Sequence, residues 1–171
     1  MNTGTDVDVG FMQMALAEAR RAADEGEVPV GAVVTLGSEV IGRGHNQREG
    51  QRSPLAHAEI LAIQQASTRL GTWRLSGCDL YVTLEPCVMC VGAILQARMQ
   101  RLVFGCLDPK AGAVESLFGL CDDPRLNHRL PVTGGLLAHE SAELLESFFK
   151  GLRRAKKSTS AERWPSPAEG A

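Results

Sequence analysis

The sequence lacks the features that mark membrane, secreted and fibrous proteins. No apolar run in its 171 residues approaches the ~20 consecutive apolar residues that a membrane-spanning helix needs. Residues 1–10 contain Asp6 and Asp8, where a secretory leader would be basic and then apolar, so we expect a cytoplasmic protein. Internal repeats are also missing. The sequence has 44% hydrophobic and 22% charged residues, which is typical of globular proteins. The composition therefore predicts an ordinary globular protein.

A disulfide framework is not expected. The chain has 5 cysteines, an odd number, and shows no secretory leader, which argues against disulfides and leaves metal binding open. Cys78 and Cys106 lie on strand patterns and are most simply small buried side chains, and Cys121 has no further interpretation.

A strong net charge is also lacking, since the formal value is −2. The charges are nevertheless uneven: residues 1–40 hold seven acids and two bases, whereas residues 41–110 hold eight bases and five acids. Five further bases form a basic run at 150–157, which could bind RNA or could simply be a solvated helix end where the dipole favours cations. Any nucleic acid would therefore bind a local basic surface. This basic run consists of Lys150, Arg153, Arg154, Lys156 and Lys157.

Hydrophobic periodicity, together with the Gly and Pro positions, predicts one domain over residues 1–157 with a flexible tail over 158–171. A segment over 108–130 has room for one short helix, and a last helix runs from about Ala138 into the 150s. The order of elements indicates a helix-covered sheet with at least one parallel pair of strands. The earlier elements are a helix over 11–25, a hairpin over 30–36 and 40–41, a helix over 55–70, a strand over 78–84, a helix over 87–98 and a strand over 101–105.

Cys87 and Cys90 are separated by two residues at the predicted start of a helix, after Pro86. Positions three apart share one helix face, so both sulfurs can reach one ion. The positive end of the helix dipole favours the thiolate, which is the form that binds metal. A redox pair or two packed thiols are the alternatives for a single motif of this kind.

His57 supplies a natural third ligand at the start of the preceding predicted helix, although a lone histidine there is more often a cap or a core residue. Three protein ligands leave one tetrahedral position open, which is typical of a catalytic zinc that activates a water molecule.

Glu59 follows His57 by two residues, which on a regular helix would turn its side chain about 200° away from that of His57. Both side chains can still approach one ion if the metal lies at the first turn of the helix, near its axis. A carboxylate there can move protons between an activated water, a ring nitrogen and a leaving amine. The alternative is a solvated first-turn acid that the dipole favours.

Together, the segments 57–59 and 86–90 match the H-x-E and P-C-x-x-C signature of zinc nucleobase deaminases. A larger set of segments carries a more specific similarity: the sequence resembles the bacterial tRNA-specific adenosine deaminases over most of residues 10–155. The matching segments are 27–33, 44–46, 56–60, 83–90, 103–105, 108, 110–113, 127–129 and 148–149.

The resemblance implies a three-layer cytidine deaminase-like α/β fold, in which helices cover both faces of a central mixed sheet of about five strands. It also implies one zinc ion per chain and hydrolytic conversion of adenosine to inosine, most simply at the wobble position of a tRNA anticodon loop. The implied working form is a homodimer. Bases of an anticodon loop are already single-stranded, so they can be inserted into a pocket.

The resemblance also implies roles for individual residues. Asn46 is expected to hydrogen-bond the flipped base, and Val30 to form part of the pocket wall. Asp108, Lys110 and Arg153 are expected to meet the RNA backbone or ribose. Taken singly, an asparagine after a strand is usually a turn residue and such charges are usually solvated.

Two other functions share parts of the pattern. A zinc deaminase of free guanine, cytosine or a nucleotide would have the same zinc ligands and glutamate. A zinc-stabilised RNA-binding module would bind RNA without turnover. Arg48 and Arg52 add positive charge to the loop before the catalytic helix. The sequence is compatible with contact to RNA and with exposure to solvent for both residues.

Overall fold

The computed structural model describes residues 5–162, with only the backbone of residues 157–162. A five-stranded sheet has the strand order β2-β1-β3-β4-β5. Strand β1 is antiparallel to both of its neighbours, whereas β3, β4 and β5 are parallel, so the sheet is mixed as predicted. The strands are β1 (Gly31–Leu36), β2 (Glu39–His45), β3 (Cys78–Leu84), β4 (Arg101–Cys106) and β5 (Val132–Thr133). The helices are α1 (Asp6–Asp24), α2 (Ala58–Leu70), α3 (Val88–Gln96) and α4 (Ala138–Glu162), with a short 3₁₀ helix at Leu120–Asp122.

Alternate residues of the central strands face two separate cores. On β1, Val33 packs with residues of α1, whereas Ala32 and Val34 belong to a larger core that includes the inner faces of α2 and α3. This period of two is what a strand covered on both faces requires. Helix α4 packs against β4 and α1. The predicted three-layer fold is therefore confirmed.

Helix α1 begins five residues earlier than the periodicity predicted. Thr5 and Asp8 form a capping box, in which each side chain accepts a hydrogen bond from the backbone N–H of the other. The box satisfies N–H groups that the first turn leaves without partners. At the end of α2, Gly71 takes the left-handed conformation, with φ 66°, and stops the helix as predicted.

Gly44 lets α2 lie directly on β2. A Cβ at Gly44 would lie 2.3 Å from the carbonyl oxygen of Ala58, so no larger residue fits without displacing the helix. Ala58 is the first residue of α2. The absence of a side chain at Gly44 therefore fixes the height of the N-terminus of α2 above the sheet.

Several boundaries differ from those that the sequence predicted. Helices α2 and α3 begin at Ala58 and Val88, so His57 and Cys87 precede them as N-caps. Helix α4 continues to Glu162, beyond the expected domain end at 157, and residues 163–171 of the expected tail lie outside the described residues. Within the described part of the chain, no helix has the length and apolar character needed to cross a membrane.

Candidate active site

The topology brings the starts of α2 and α3 to one edge of the sheet. Strands β2 and β3 both pair antiparallel with β1 and therefore run in the same direction. Each is followed by a helix that starts near the same edge, at the N-caps His57 and Cys87. Cys90 lies in the first turn of α3. Ligand sites of α/β proteins commonly lie at this carboxyl edge.

Three donor atoms meet there at the spacing that a tetrahedral ion needs. His57 Nδ1 lies 3.8 Å from Cys87 Sγ and 3.5 Å from Cys90 Sγ. A zinc ion with Zn–N near 2.0 Å and Zn–S near 2.3 Å has ligand atoms separated by about 3.5–3.8 Å. No other part of the described chain brings three such side chains within reach of one ion. The donor set therefore fits a metal ion.

The electrostatics of the pair of cysteines favour one thiolate. Hydrogen bonds with Cys90 and His57 lower the pKa of Cys87 to about 3. The pKa of Cys90 is raised, because its thiol is hydrogen-bonded to Cys87 and is buried. The hydrogen bond with Cys87 also raises the pKa of His57. A thiolate beside a second thiol and an imidazole is a soft, negatively charged donor set.

Glu59 lies in the first turn of α2 with only 4% of its surface exposed. His57 has an extended backbone conformation, with φ −80° and ψ 150°, so helical geometry does not separate the two side chains. Burial raises the pKa of Glu59 to about 6, and its carboxyl group is hydrogen-bonded with Cys90. A carboxyl group that titrates near neutral pH beside the donor set is suited to proton transfer.

A cavity of about 680 Å³ opens beside these residues. Four of the five predicted substrate-binding residues line it, whereas Arg153 does not. The volume is in the usual range for small-molecule sites. The lining consists of Val28, Val30, Asn46, Arg48, His57, Ala58, Glu59, Leu84, Glu85, Cys87, Leu107, Asp108, Pro109, Lys110, Ala111, Leu145, Glu146 and Phe149.

Asn46 and Val30 form one wall of the cavity and are largely buried. The amide of Asn46 is oriented by the backbone, since its Nδ2 donates to the carbonyl of Val28 at 3.3 Å and its Oδ1 accepts from the N–H of Arg48 at 3.3 Å. Arg48 lines the same cavity, whereas Arg52 lies outside it in an exposed turn.

Asp108 and Lys110 also line the cavity. Asp108 Oδ1 accepts hydrogen bonds from the N–H groups of Lys110 and Ala111, at 3.0 and 3.3 Å, and so closes a tight turn. Its carboxylate therefore has a structural role in addition to any contact with substrate. The side chain of Lys110 is exposed at the cavity mouth.

Helix α4 supplies the remaining wall through Leu145, Glu146 and Phe149. Arg153 is exposed one helical turn beyond Phe149. In the basic run, Lys150 forms an ion pair with Glu146 at 3.7 Å. The basic run thus continues outward from the cavity mouth along the same helix, and the side chain of Lys157 lies outside the described atoms.

Glu85 is a cavity residue to which sequence reasoning assigned no function. Only 2% of its surface is exposed, and its carboxylate accepts hydrogen bonds from four backbone N–H groups of the loop 108–116. Burial alone would raise its pKa, but the Ser116 hydroxyl and these N–H groups lower the pKa to about 2. The signal in the sequence that could have indicated a role for Glu85 was an acidic residue between Leu84 and Pro86, at the end of an apolar strand.

Comparisons with known proteins agree with this geometry. The sequence profile of the MafB19-like deaminases matches residues 8–153. The tRNA-specific adenosine deaminase of Bacillus subtilis is 47% identical over 147 residues, which cover 86% of this chain and 91% of that protein. Its counterpart from Aquifex aeolicus is 49% identical over 143 residues, which cover 84% and 94%.

Solved structures of deaminases also superpose on this chain. A structure from a study of A-to-I editing by tRNA:A34 deaminases at the wobble position of transfer RNA superposes with a TM-score of 0.77 at 49% identity, covering 80% of this chain and 99% of that one. A guanine deaminase from Nitrosomonas europaea superposes with a TM-score of 0.68 at 29% identity, covering 82% and 83%.

Proposed function

Because this chain belongs to the family of tRNA-specific adenosine deaminases, we propose that it converts adenosine in a tRNA to inosine by hydrolysis, with release of ammonia. The observation that carries the proposal is the meeting of three metal-type donors and a buried carboxyl group in one cavity. The wobble position of an anticodon loop is the proposed target, because its bases can leave the stack at low cost.

The proposed cofactor is one zinc ion per chain, held by His57, Cys87 and Cys90. The two sulfurs and one imidazole nitrogen are the donors that zinc prefers, and their spacing fits a tetrahedral site with one position left for solvent. A zinc ion held by these residues would lower the pKa of a water molecule to about 7 and would so provide the nucleophile at neutral pH.

Glu59 is the proposed proton carrier. Its carboxylate takes a proton from the attacking water and gives it to the ring nitrogen beside C6 of adenine. It then takes the proton of the new C6 hydroxyl group and gives it to the departing amino group, so that inosine and ammonia form. Its burial keeps bulk water away from these transfers.

The base is held by the walls of the cavity. The Asn46 amide offers a donor and an acceptor to the edge of the base, and Val30 packs against its face. Lys110 at the mouth and Arg153 on α4 are placed to meet phosphates, and Asp108 to accept from a ribose hydroxyl. Since the net charge is −2, these local cations must supply the attraction for RNA.

The proposed working form is a homodimer in the cytoplasm, where tRNA substrates are available. Several large apolar side chains remain exposed in the single chain: Leu55 by 59%, Val88 by 51%, and Leu117 and Phe118 by 52% each. Leu55 and Val88 are near the proposed metal donors in sequence, and a second copy would cover such side chains. Light scattering at the assay concentration tests the oligomeric state separately from the activity. A monomeric mass would contradict the proposed dimer and leave the proposed reaction untouched.

The deciding experiment follows ammonia release from three substrates: an anticodon stem–loop with adenosine at the wobble position, free adenosine and free guanine. We expect release from the stem–loop alone, and release that is lower by about 10²–10⁴-fold from the matched Glu59→Gln variant. Turnover of free guanine instead would identify a free-base deaminase. Tight binding of the stem–loop without ammonia would identify an RNA-binding module.

A further inference from the structure

Glu85 connects the metal site to the loop that forms the mouth of the cavity. It stands between β3 and α3, directly before Pro86 and Cys87, and its N–H donates to the carbonyl of Cys106 at 2.9 Å. This hydrogen bond ties the Glu85 backbone to the end of β4. Its buried carboxylate has no part in the proton transfers assigned to Glu59.

Both oxygens of Glu85 are occupied by residues 108–116. Oε1 accepts from the N–H groups of Val114, Glu115 and Ser116 at 3.1, 2.7 and 2.9 Å. Oε2 accepts from the N–H of Asp108 at 2.9 Å and from the Ser116 hydroxyl. One carboxylate thus accepts hydrogen bonds from five donors at the two ends of the loop. Burial of these donors without an acceptor would cost free energy.

The middle of the same loop is attached to the segment that carries the metal donors. Ala113 N–H donates to the carbonyl of Pro86 at 2.8 Å, and Gly112 pairs with Cys87 in an isolated antiparallel bridge. A Cβ at Gly112 would lie 2.2 Å from Glu85 Oε2, so the loop backbone rests directly on the carboxylate. The middle of the loop is therefore held against the metal segment, whereas its two ends are held by Glu85.

We propose that Glu85 is a positioning residue, which holds the loop 108–116 so that Asp108 and Lys110 face the RNA at a fixed distance from the metal donors. The inference rests on the proposed function. Because the loop meets the RNA and not the reacting carbon, its displacement raises KM for the stem–loop and leaves kcat nearly unchanged.

Two variants displace the loop in different ways. Glu85→Gln keeps the side-chain size but replaces one acceptor oxygen by a donor group, so one set of N–H partners is lost. Gly112→Ala keeps Glu85 and pushes the loop away with a methyl group. The matched control is Gly119→Ala in the following segment, where the nearest atom to a new Cβ is 3.9 Å away.

The experiment measures three quantities for the zinc-loaded full chain: zinc per chain, amide hydrogen exchange at residues 108 and 114–116, and KM and kcat on the anticodon stem–loop. For Glu85→Gln and Gly112→Ala we expect full zinc content, faster exchange at those amides, KM raised by about tenfold and kcat within about threefold of wild type. Gly119→Ala should match wild type in all three.

The outcomes separate the inference from the function on which it rests. Unchanged KM with accelerated exchange would overturn the positioning role, and so would a loss of zinc or of kcat at unchanged KM. A wild-type protein that does not deaminate the stem–loop refutes the proposed function, and the positioning role with it. An active wild type with normal KM in both variants refutes the positioning role alone.

Discussion

Replacing Gly44 by alanine should displace the N-terminus of α2, which carries His57 and Glu59. The new methyl carbon would lie 2.3 Å from the carbonyl oxygen of Ala58 and 2.7 Å from the nitrogen of Ala62. Carbon–oxygen contacts ordinarily begin at about 3.3 Å, so the helix must retreat from β2 by about 1 Å.

The size of the effect follows from that distance. Overpacking of this kind costs about 1–3 kcal/mol of stability. A misplacement of about 1 Å in catalytic groups can lower the rate by about 100-fold, which corresponds to about 2.7 kcal/mol of activation free energy. Because Cys87 and Cys90 are held by a different helix, we expect weaker zinc binding as well as lower kcat.

The assay combines urea unfolding, zinc analysis and kcat on the stem–loop under conditions where the variant is folded. Gly10→Ala in α1 is the matched control, since nothing lies within 4 Å of its new Cβ. That control should gain up to about 1 kcal/mol from helix propensity and keep its activity. Wild-type kcat and zinc affinity in a folded Gly44→Ala protein would refute the idea that this contact positions the donors.

Three further results are expected. Glu59→Gln should keep its zinc and its RNA affinity while ammonia release falls by about 10²–10⁴-fold; retention of a tenth of wild-type turnover would exclude Glu59 as the proton carrier. Hydrogen bonds from Arg101, and also from Tyr81, hold the pKa of Asp8 well below its ordinary value. The stability that Asp8 adds is therefore fully present above pH ~4 and is lost only as the pH falls towards its lowered folded-state pKa. The urea midpoints of wild type and Asp8→Asn should differ at pH 7 and should converge only well below pH ~3. Replacing Arg153 and Arg154 together by alanine should weaken binding of the stem–loop to the Glu59→Gln protein. The log–log slope of affinity against salt concentration should flatten by up to about 0.7 per lost phosphate contact. Equal slopes with and without the two arginines would show that they serve only as a helix end.

Local patterns were sufficient for the elements that position the donors. The strand Cys78–Leu84 has the predicted bounds, and the proline before Cys87 correctly indicated a helix start. The two-residue spacing of His57 and Glu59 would direct their side chains apart only if both residues lay in a regular helix. This difficulty disappears because the helix begins after His57.

Features that depend on distant parts of the chain could not be predicted from such patterns. The start of α1 is a different case, because the periodicity located it at residue 11 although the capping box of Thr5 and Asp8 is a local pattern. Strand β5 has two residues, too few for any alternation, and exists because Val132 and Thr133 pair with β4. The partners of Glu85 lie 23 to 31 residues away, so its sequence neighbourhood contains no sign of them.

The order of the donors along the chain has a consequence for biosynthesis. His57, Cys87 and Cys90, with the sheet β2-β1-β3 that supports them, are all complete before β4 is made. Leu145 and Phe149, which complete the cavity wall, emerge from the ribosome later. The proposed metal donors are therefore all synthesised before the wall that α4 adds. A chain that ended before α4 would still contain the three proposed metal donors, but it would lack the cavity wall that Leu145 and Phe149 form.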